Sequence, residues 1–221
     1  MMRLLVLRPE PGAGATAAKA RELGFHPECV PLFQIEALDW TAPEPARFDG
    51  LLFTSANAVR CAGTELLRYR GLKVYAVGEA TAEAARDAGF DVASTGDSGV
   101  DRLLGSIEPD LKLLHLCGED RRDTDKVRQS ITFVPVYRAK EVPDPDLSRA
   151  SSSVALIHSP RAGRRFAQLM SERRRTIIAA ISNVAADAAG PGWRSVGVAD
   201  QPNESALLAL AARLCKNAQP E

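Results

Sequence analysis

The sequence has no surplus of charge in either sign: 28 Lys and Arg balance 28 Asp and Glu. Without a global field it has no long-range pull on nucleic acid or an anionic membrane. Any anionic ligand must be held by local geometry. It is short of apolar runs: no stretch approaches the ~20 residues of a spanning helix. The opening MMRLLVLRPEP is interrupted by Arg8 and Pro9, too soon for the ~7–15-residue core of a secretion signal. It has only four cysteines, Cys29, Cys61, Cys117 and Cys215, with no CxxC spacing. They are expected to be small buried thiols in a reducing cytoplasm. The three histidines make no ligand pattern with them, so no metal site is expected. The phosphate-cradling pattern GxxxxGK[ST] is absent too.

What is present is a repeat. The 221 residues are 45% apolar and 25% charged, an ordinary core-forming composition with room for two domains of ~100 residues. A shift of 104 lays LLFTSANAVR (51–60) on ALIHSPRAGR (155–164), and VGEATAEAA (77–85) on ISNVAADAA (181–189). The same shift lays VPLF (30–33) on VPVY (134–137), so Phe33 matches Tyr137. With a small gap, LLVLRPE (4–10) matches LLHLCGE (113–119). Internal duplication of this kind sets the whole fold.

Each copy reads as strand–helix units: LLFTS then ANAVRCAGTELLRY, KVYAV then EATAEAARDA, DVAS then GVDRLLGSI, and KLLHLC, DTDKVRQS, TFVPVY. The other copy runs VALIHS/PRAGRRFAQLM, TIIAAI/SNVAADAA, SVGVA/ESALLALAARL and RLLVLRP/GATAAKARELG/ECVPLF. Strands alternating with helices predict parallel sheets covered on both faces. Linker-like stretches rich in Pro, acid or Ser lie at 38–49 and 142–153. The chain is therefore expected to form a contiguous middle α/β domain, 39–135, and a discontinuous outer one, 1–35 plus 143–221. The crossings, 30–38 and 134–142, are expected to pair as an antiparallel ribbon, with Glu36 facing Lys140.

Chemistry is expected at the strand-to-helix turns RPEPGAG, FTSAN, AVGEAT, HSPRA and AISNVA. Taken singly, their serines and threonines are helix caps. Taken together, about ten such turns facing one cleft suit carboxylates or phosphates. GAGATA (12–17) fits a dinucleotide fingerprint with Glu36 downstream, but Pro9-Glu10-Pro11 stands where the tight glycine turn belongs. A nucleophilic serine in HSPRAGRR is disfavoured because its repeat, FTSANAVR, has no histidine. Glu172-Arg173-Arg174-Arg175 reads as a solvated helix end. One arginine of Asp120-Arg121-Arg122-Asp123 could reach the cleft.

LRPEPGA, VPLFQIEAL, FTSANAV, KVYAVGEATAEAARDAGF, VPVYRA and the second Ser-Pro turn, in that order, resemble the uroporphyrinogen-III synthase family. The resemblance covers nearly the whole chain and implies two duplicated, flavodoxin-like parallel-sheet α/β domains. A two-stranded antiparallel β-ladder would join them, with a cleft between. It implies a monomeric, cofactor-independent enzyme acting on hydroxymethylbilane, a linear tetrapyrrole with eight carboxylates that the preceding deaminase could hand over. Carried over residue by residue, it implies Tyr137 as the general acid. It implies substrate contacts at Arg8, Thr54, Ser55, Gly78, Thr81, Ser159 and Ser182. The sequence departs from the family at Val184 and Ala185, where threonines are usual, and at Cys117, where an arginine is usual. Two other readings stay open: a two-lobed, non-catalytic binder of an anionic small molecule, and a nucleotide-dependent enzyme using GAGATA.

Overall fold

A computed structural model describes residues 3–96, 99–120 and 127–217. The chain divides into two compact units, Met1–Gln34 with Glu141–Glu221, and Ile35–Lys140.

The first unit is a parallel sheet of five strands: β1 (Arg3–Val6), β2 (Pro27–Cys29), β9 (Ser153–Ile157), β10 (Ile177–Ala180) and β11 (Ser195–Val198). Their order in space is β11-β10-β9-β1-β2, and each neighbouring pair is parallel. All residues of β9 and β10 are buried. That is why SVALI and IIAA read as unbroken apolar runs rather than alternating ones. Helices α1 (Gly12–Glu22), α5 (Pro160–Leu169) and α6 (Asn183–Ala189) connect strands, and α7 (Glu204–Asn217) follows the last one. Their buried faces are built largely from small residues, such as Ala13, Ala17 and Ala20 on α1 and Ala185 and Ala189 on α6. Small side chains let a helix axis come close to the sheet.

The second unit holds nearly all of a six-stranded sheet, β3 (Phe33–Ala37), β4 (Gly50–Phe53), β5 (Lys73–Val77), β6 (Val92–Gly96), β7 (Lys112–Gly118) and β8 (Ser130–Glu141), ordered β3-β8-β7-β4-β5-β6. The pairs β8-β7, β7-β4, β4-β5 and β5-β6 are parallel. Helices α2 (Ala56–Cys61), α3 (Glu79–Asp87) and α4 (Val100–Gly105) flank it. Its core gathers Leu51, Phe53, Val59, Leu66, Tyr69, Val74, Leu114, Leu116 and Val136. At the β3-β8 edge, Glu36 receives Arg138 at 3.0 Å and Lys140 at 3.2 Å, and Leu38 N–H donates to Val136 O at 2.9 Å.

Three elements differ from the sequence expectation. The single helix expected over 56–69 is two pieces, α2 and a 3-10 turn at Thr64–Tyr69, split by Gly63 at φ 64°. A glycine in the left-handed region ends a helix at little steric cost. The stretch ECVPLF, expected as one strand, breaks after Cys29 and resumes at Phe33, whereas its repeat runs unbroken within the twelve residues of β8. Of the helix expected over 123–130, residues 123–126 lie outside the described residues, as do Arg121 and Arg122, while 127–129 are not helical and Ser130 already opens β8. No helix among the described residues is long and apolar enough to cross a membrane.

Candidate active site

Because neighbouring strands are parallel, the turns that follow them in each unit lie along one edge of its sheet. Open parallel sheets bind ligands at that carboxyl edge. The expected site residues sit there, and each unit supplies a different set.

In the first unit, Ser159 follows β9 and Ser182 follows β10. Both are N-caps in extended conformation. Ser159 Oγ accepts the Ala162 N–H at 3.1 Å, with Pro160 at the first helical position. Ser182 Oγ accepts the Ala185 N–H at 3.3 Å. Capping uses a lone pair of the hydroxyl, so its proton remains free for an acceptor such as a carboxylate. Arg8, two residues beyond β1, is not free: its Nη1 donates to Glu204 Oε2 at 3.1 Å. The guanidinium lies against Gly12, where an added Cβ would come within 2.6 Å of Arg8 Nε. His158 Nε2 lies 3.3 and 3.4 Å from the two Glu204 oxygens. Burial pushes the Glu204 carboxyl up, but the hydrogen bond and charge of His158, with Thr16 and Arg8, outweigh it and bring its pKa to about 2. The histidine that sequence reasoning set aside as a catalytic base is thus the partner of a carboxylate. Glu204, which that reasoning missed, is the anion of the cluster.

The α1 segment also decides the fate of GAGATA. Gly12 and Gly14 are inside the helix, and the Gly14 N–H donates to Glu10 Oε2 at 2.9 Å. A carboxylate of the chain itself occupies the helix start where a pyrophosphate would have to bind.

In the second unit, Thr54 and Ser55 follow β4. Thr54 is exposed, and its Oγ1 is 3.1 Å from Nε2 of His115, a residue of β7 that is only 3% exposed. Ser55 caps α2, accepting the Asn57 N–H at 3.2 Å. Gly78 follows β5 with φ 83° and heads α3, its carbonyl accepting from Thr81 and Ala82 N–H at 3.0 and 3.1 Å. Thr81 is buried, at 5% exposure. The groups that α3 offers outward are therefore its leading amides, which have no intrahelical acceptor, more than the Thr81 hydroxyl.

Tyr137 lies on β8 beside the last residue of β7. The register slips between Cys117 and Gly118, so that Gly118 rather than Glu119 pairs with Tyr137. The phenol rests on the bare α-carbon of Gly118: a Cβ there would meet Tyr137 Cζ at 2.9 Å and Oη at 3.0 Å. Glu119 N–H anchors the Tyr137 carbonyl at 2.8 Å. Burial pushes the phenol pKa up, a hydrogen bond with Ser55 pulls it down, and Cys117, Cys61 and Asp120 add to the rise. The net is upward, so the phenol is protonated at neutral pH. The structure thus brings Thr54, Ser55, Gly78 and Tyr137 to one sheet edge and Arg8, Ser159 and Ser182 to the other unit's edge.

Of the two departures on α6, Val184 is exposed and Ala185 is buried, so only the first leaves a hydroxyl missing from the surface. Cys117, at the usual arginine position, is buried. Among the described residues, no three His, Cys, Asp or Glu side chains gather as metal ligands.

A model of the family described as uroporphyrinogen-III synthase HemD matches residues 14–209. The fold is similar to the crystal structure of uroporphyrinogen-III synthetase from Helicobacter pylori, with a TM-score of 0.66 at 18% identity, covering 97% of this chain and 100% of that one. It is similar also to a triple mutant of uroporphyrinogen III synthase from Thermus thermophilus, with a TM-score of 0.56 at 19% identity, covering 98% and 100%. No curated protein matches the sequence significantly.

Proposed function

The chain belongs to the uroporphyrinogen-III synthase family, and from that membership we propose how its residues act on hydroxymethylbilane. The family's enzymes are cofactor-independent cyclising lyases of haem biosynthesis. They expel the bilane hydroxyl as water, close the macrocycle and invert the last pyrrole ring, giving uroporphyrinogen III.

The bilane closes unaided to the uninverted isomer, so the enzyme's main task is to hold one folded geometry. Orientation of this kind can supply several kcal/mol of barrier lowering without a reactive group. Eight carboxylates need many donors rather than one strong cation. The capped turns at Ser159 and Ser182, the Thr54 hydroxyl and the leading amides of α3 at Gly78 are such donors. Arg8 gives its guanidinium to Glu204 and contributes its remaining N–H groups.

Departure of the hydroxyl needs a proton. Tyr137 is the acid in this reading, and the observation that carries it is the position of its phenol: uncharged, half-buried, at the carboxyl edge of the sheet, lying on the bare backbone of Gly118. A weak acid held neutral delivers its proton only as the leaving oxygen gains charge. The finer reading of the fold belongs to the same proposal: two copies of one flavodoxin-like unit, joined through β3 and β8. Support comes from the hydrogen bonds Leu38 N–H to Val136 O and Val142 N–H to Leu32 O, whose partners run in opposite directions along the chain.

The test is isomer analysis. The protein is coupled to a hydroxymethylbilane source, and the oxidised porphyrins are separated. The type III isomer is expected in excess. Type I alone, as forms without enzyme, overturns the proposed activity.

A further inference from the structure

We propose that Glu204, His158 and Gly12 are positioning residues for Arg8: together they hold its guanidinium so that the Nε/Nη2 edge stands open as a two-pronged seat for one carboxylate of the substrate. This rests on Arg8 being a substrate contact, and it gives Glu204 and His158 a part in binding.

The cluster lies where the winding of the first unit reverses. From β1 the chain moves to β2 on one side, and from β9 through β10 to β11 on the other. Ligands of open parallel sheets bind at such a switch point. Val6 pairs with Leu156, so Arg8 and His158 stand at matching places beyond the two strand ends. Glu204, the first residue of α7, reaches both.

The donors and acceptors set the direction. A guanidinium only donates, and Glu204, ionised at neutral pH, only accepts. Its Oε2 therefore takes an Nη1 hydrogen of Arg8 at 3.1 Å. His158 Nδ1 is buried without a partner among the described residues. Its Nε2 lies 3.3 and 3.4 Å from the two carboxylate oxygens, so the ring must carry a hydrogen there. The side chains of His158, Glu204 and Arg8 are 8%, 19% and 38% exposed. The line thus runs from a buried anchor out to a guanidinium that meets solvent.

Gly12 sets the plane. A Cβ built on it would lie 2.6 Å from Arg8 Nε, 2.9 Å from Cζ and 3.0 Å from Nη2. An in-plane approach to the Nε/Nη2 edge would leave Cζ the farthest of the three. It is not, so Gly12 backs the face of the guanidinium and leaves that edge clear. Nε–H and Nη2–H point the same way and have no partner among the described residues. That fork matches a carboxylate through two parallel hydrogen bonds.

Positioning and stability are separated by experiment. In protein labelled with 15N-arginine, with Arg8→Lys to assign the signals, the Arg8 Nη1 and Nη2 resonances are expected to stand apart, because a held guanidinium does not turn about Nε–Cζ. They are expected to merge in Glu204→Ala. The same variant is expected to raise KM for hydroxymethylbilane about tenfold, as a charged two-bond contact loosens, and to change kcat far less. The double variant Arg8→Ala/Glu204→Ala is expected to match Arg8→Ala alone, because Glu204 acts only through Arg8. Gly12→Ala needs no change at Glu204. Alanine suits a helix better than glycine, and Gly12 is outside the left-handed region. Its Tm is therefore expected to hold or rise while KM rises about threefold, the scale of one weakened hydrogen bond; a merely structural role would not divide the two.

Resonances that stay apart in Glu204→Ala, or a double variant whose KM rise is the product of the single ones, overturn the positioning by Glu204. An unchanged KM in Gly12→Ala overturns the platform, and an unchanged KM in Arg8→Ala overturns the seat. Type I product alone from the unaltered protein would overturn the synthase reading instead, and the guanidinium resonances, read without substrate, would still decide the positioning.

Discussion

The same strand–turn–helix frame carries opposite chemistry in the two units. At the carboxyl edge of the first, the side chains gather round an ion pair: Arg8 and Glu204, with His158 against the carboxylate. At the same edge of the second, hydroxyls stand in that place: Thr54 faces His115, and the Tyr137 phenol lies on Gly118. The positions correspond by sequence. Thr54 aligns with His158, and Cys117 with Arg8, so a polar hydroxyl replaces a histidine and a buried thiol replaces an arginine. In each unit a glycine without room for a side chain lies beneath the key group, Gly12 under Arg8 and Gly118 under Tyr137. The frame fixes where a functional group stands and leaves its charge free to diverge.

The contrast is broken most deeply at Tyr137. Tyr137→Phe makes this position match its repeat, Phe33. We expect kcat to fall ~10²–10⁴-fold, with the far-ultraviolet circular dichroism unchanged; undiminished type III product would remove the tyrosine from the reaction.

Removing the charge from the first unit comes next. The folded pKa of Glu204, about 2, lies below the ordinary 4.5. Its contribution to stability is therefore fully present above pH 4.5 and is lost as pH falls toward 2. Discounted for partial exposure, the gap corresponds to about 2 kcal/mol. Glu204→Gln should lower Tm at pH 7, and thermal melts of the two proteins should converge as the pH is taken below 4. A difference that is undiminished near pH 2 would show that packing, not charge, holds the cluster.

Thr54→Val tests the second unit more gently. It removes the hydroxyl that faces His115 and that is proposed to meet the substrate. A rise in KM of about threefold to tenfold is expected, from the loss of one hydrogen bond of ~1 kcal/mol, with kcat nearly constant in steady-state assays. The smallest effect belongs to Val184→Thr, which restores a hydroxyl at an exposed position. Stability should stay within ~0.5 kcal/mol, and KM should fall by less than about threefold.

Much of the frame was legible in the sequence because it depends on local chemistry. Buried parallel strands announce themselves as apolar runs such as VALI and TIIAA. Ser55, Ser159 and Ser182 are recognisable caps because a hydroxyl at the head of a helix has a near neighbour to bond. What escaped depends on distance or on shape. Glu204 and Arg8 are 196 residues apart, and nothing in ESALL marks its first residue as a counter-ion. Gly118 looked like the remnant of an Arg-Gly pair, since a missing side chain shows its purpose only when the phenol is seen lying on it. The break of VPLF was hidden by its resemblance to VPVY. Identical Val-Pro steps sit in a continuous strand in one copy and between two strands in the other, because what lies alongside them differs.

Placing a complete unit inside another also sets an order of assembly on the ribosome. Residues 35–140 include nearly the whole six-stranded sheet and are contiguous. They can close as soon as they emerge. β1 must wait for β9, its neighbour from Leu4↔Val154 onward. At ~5–20 residues per second, that wait is about 8 to 30 seconds. Arg8 is made early and gains its counter-ion, Glu204, only at the last helix. Through that interval β1, α1 and β2 have only one another, with the central neighbour of β1 still to be made.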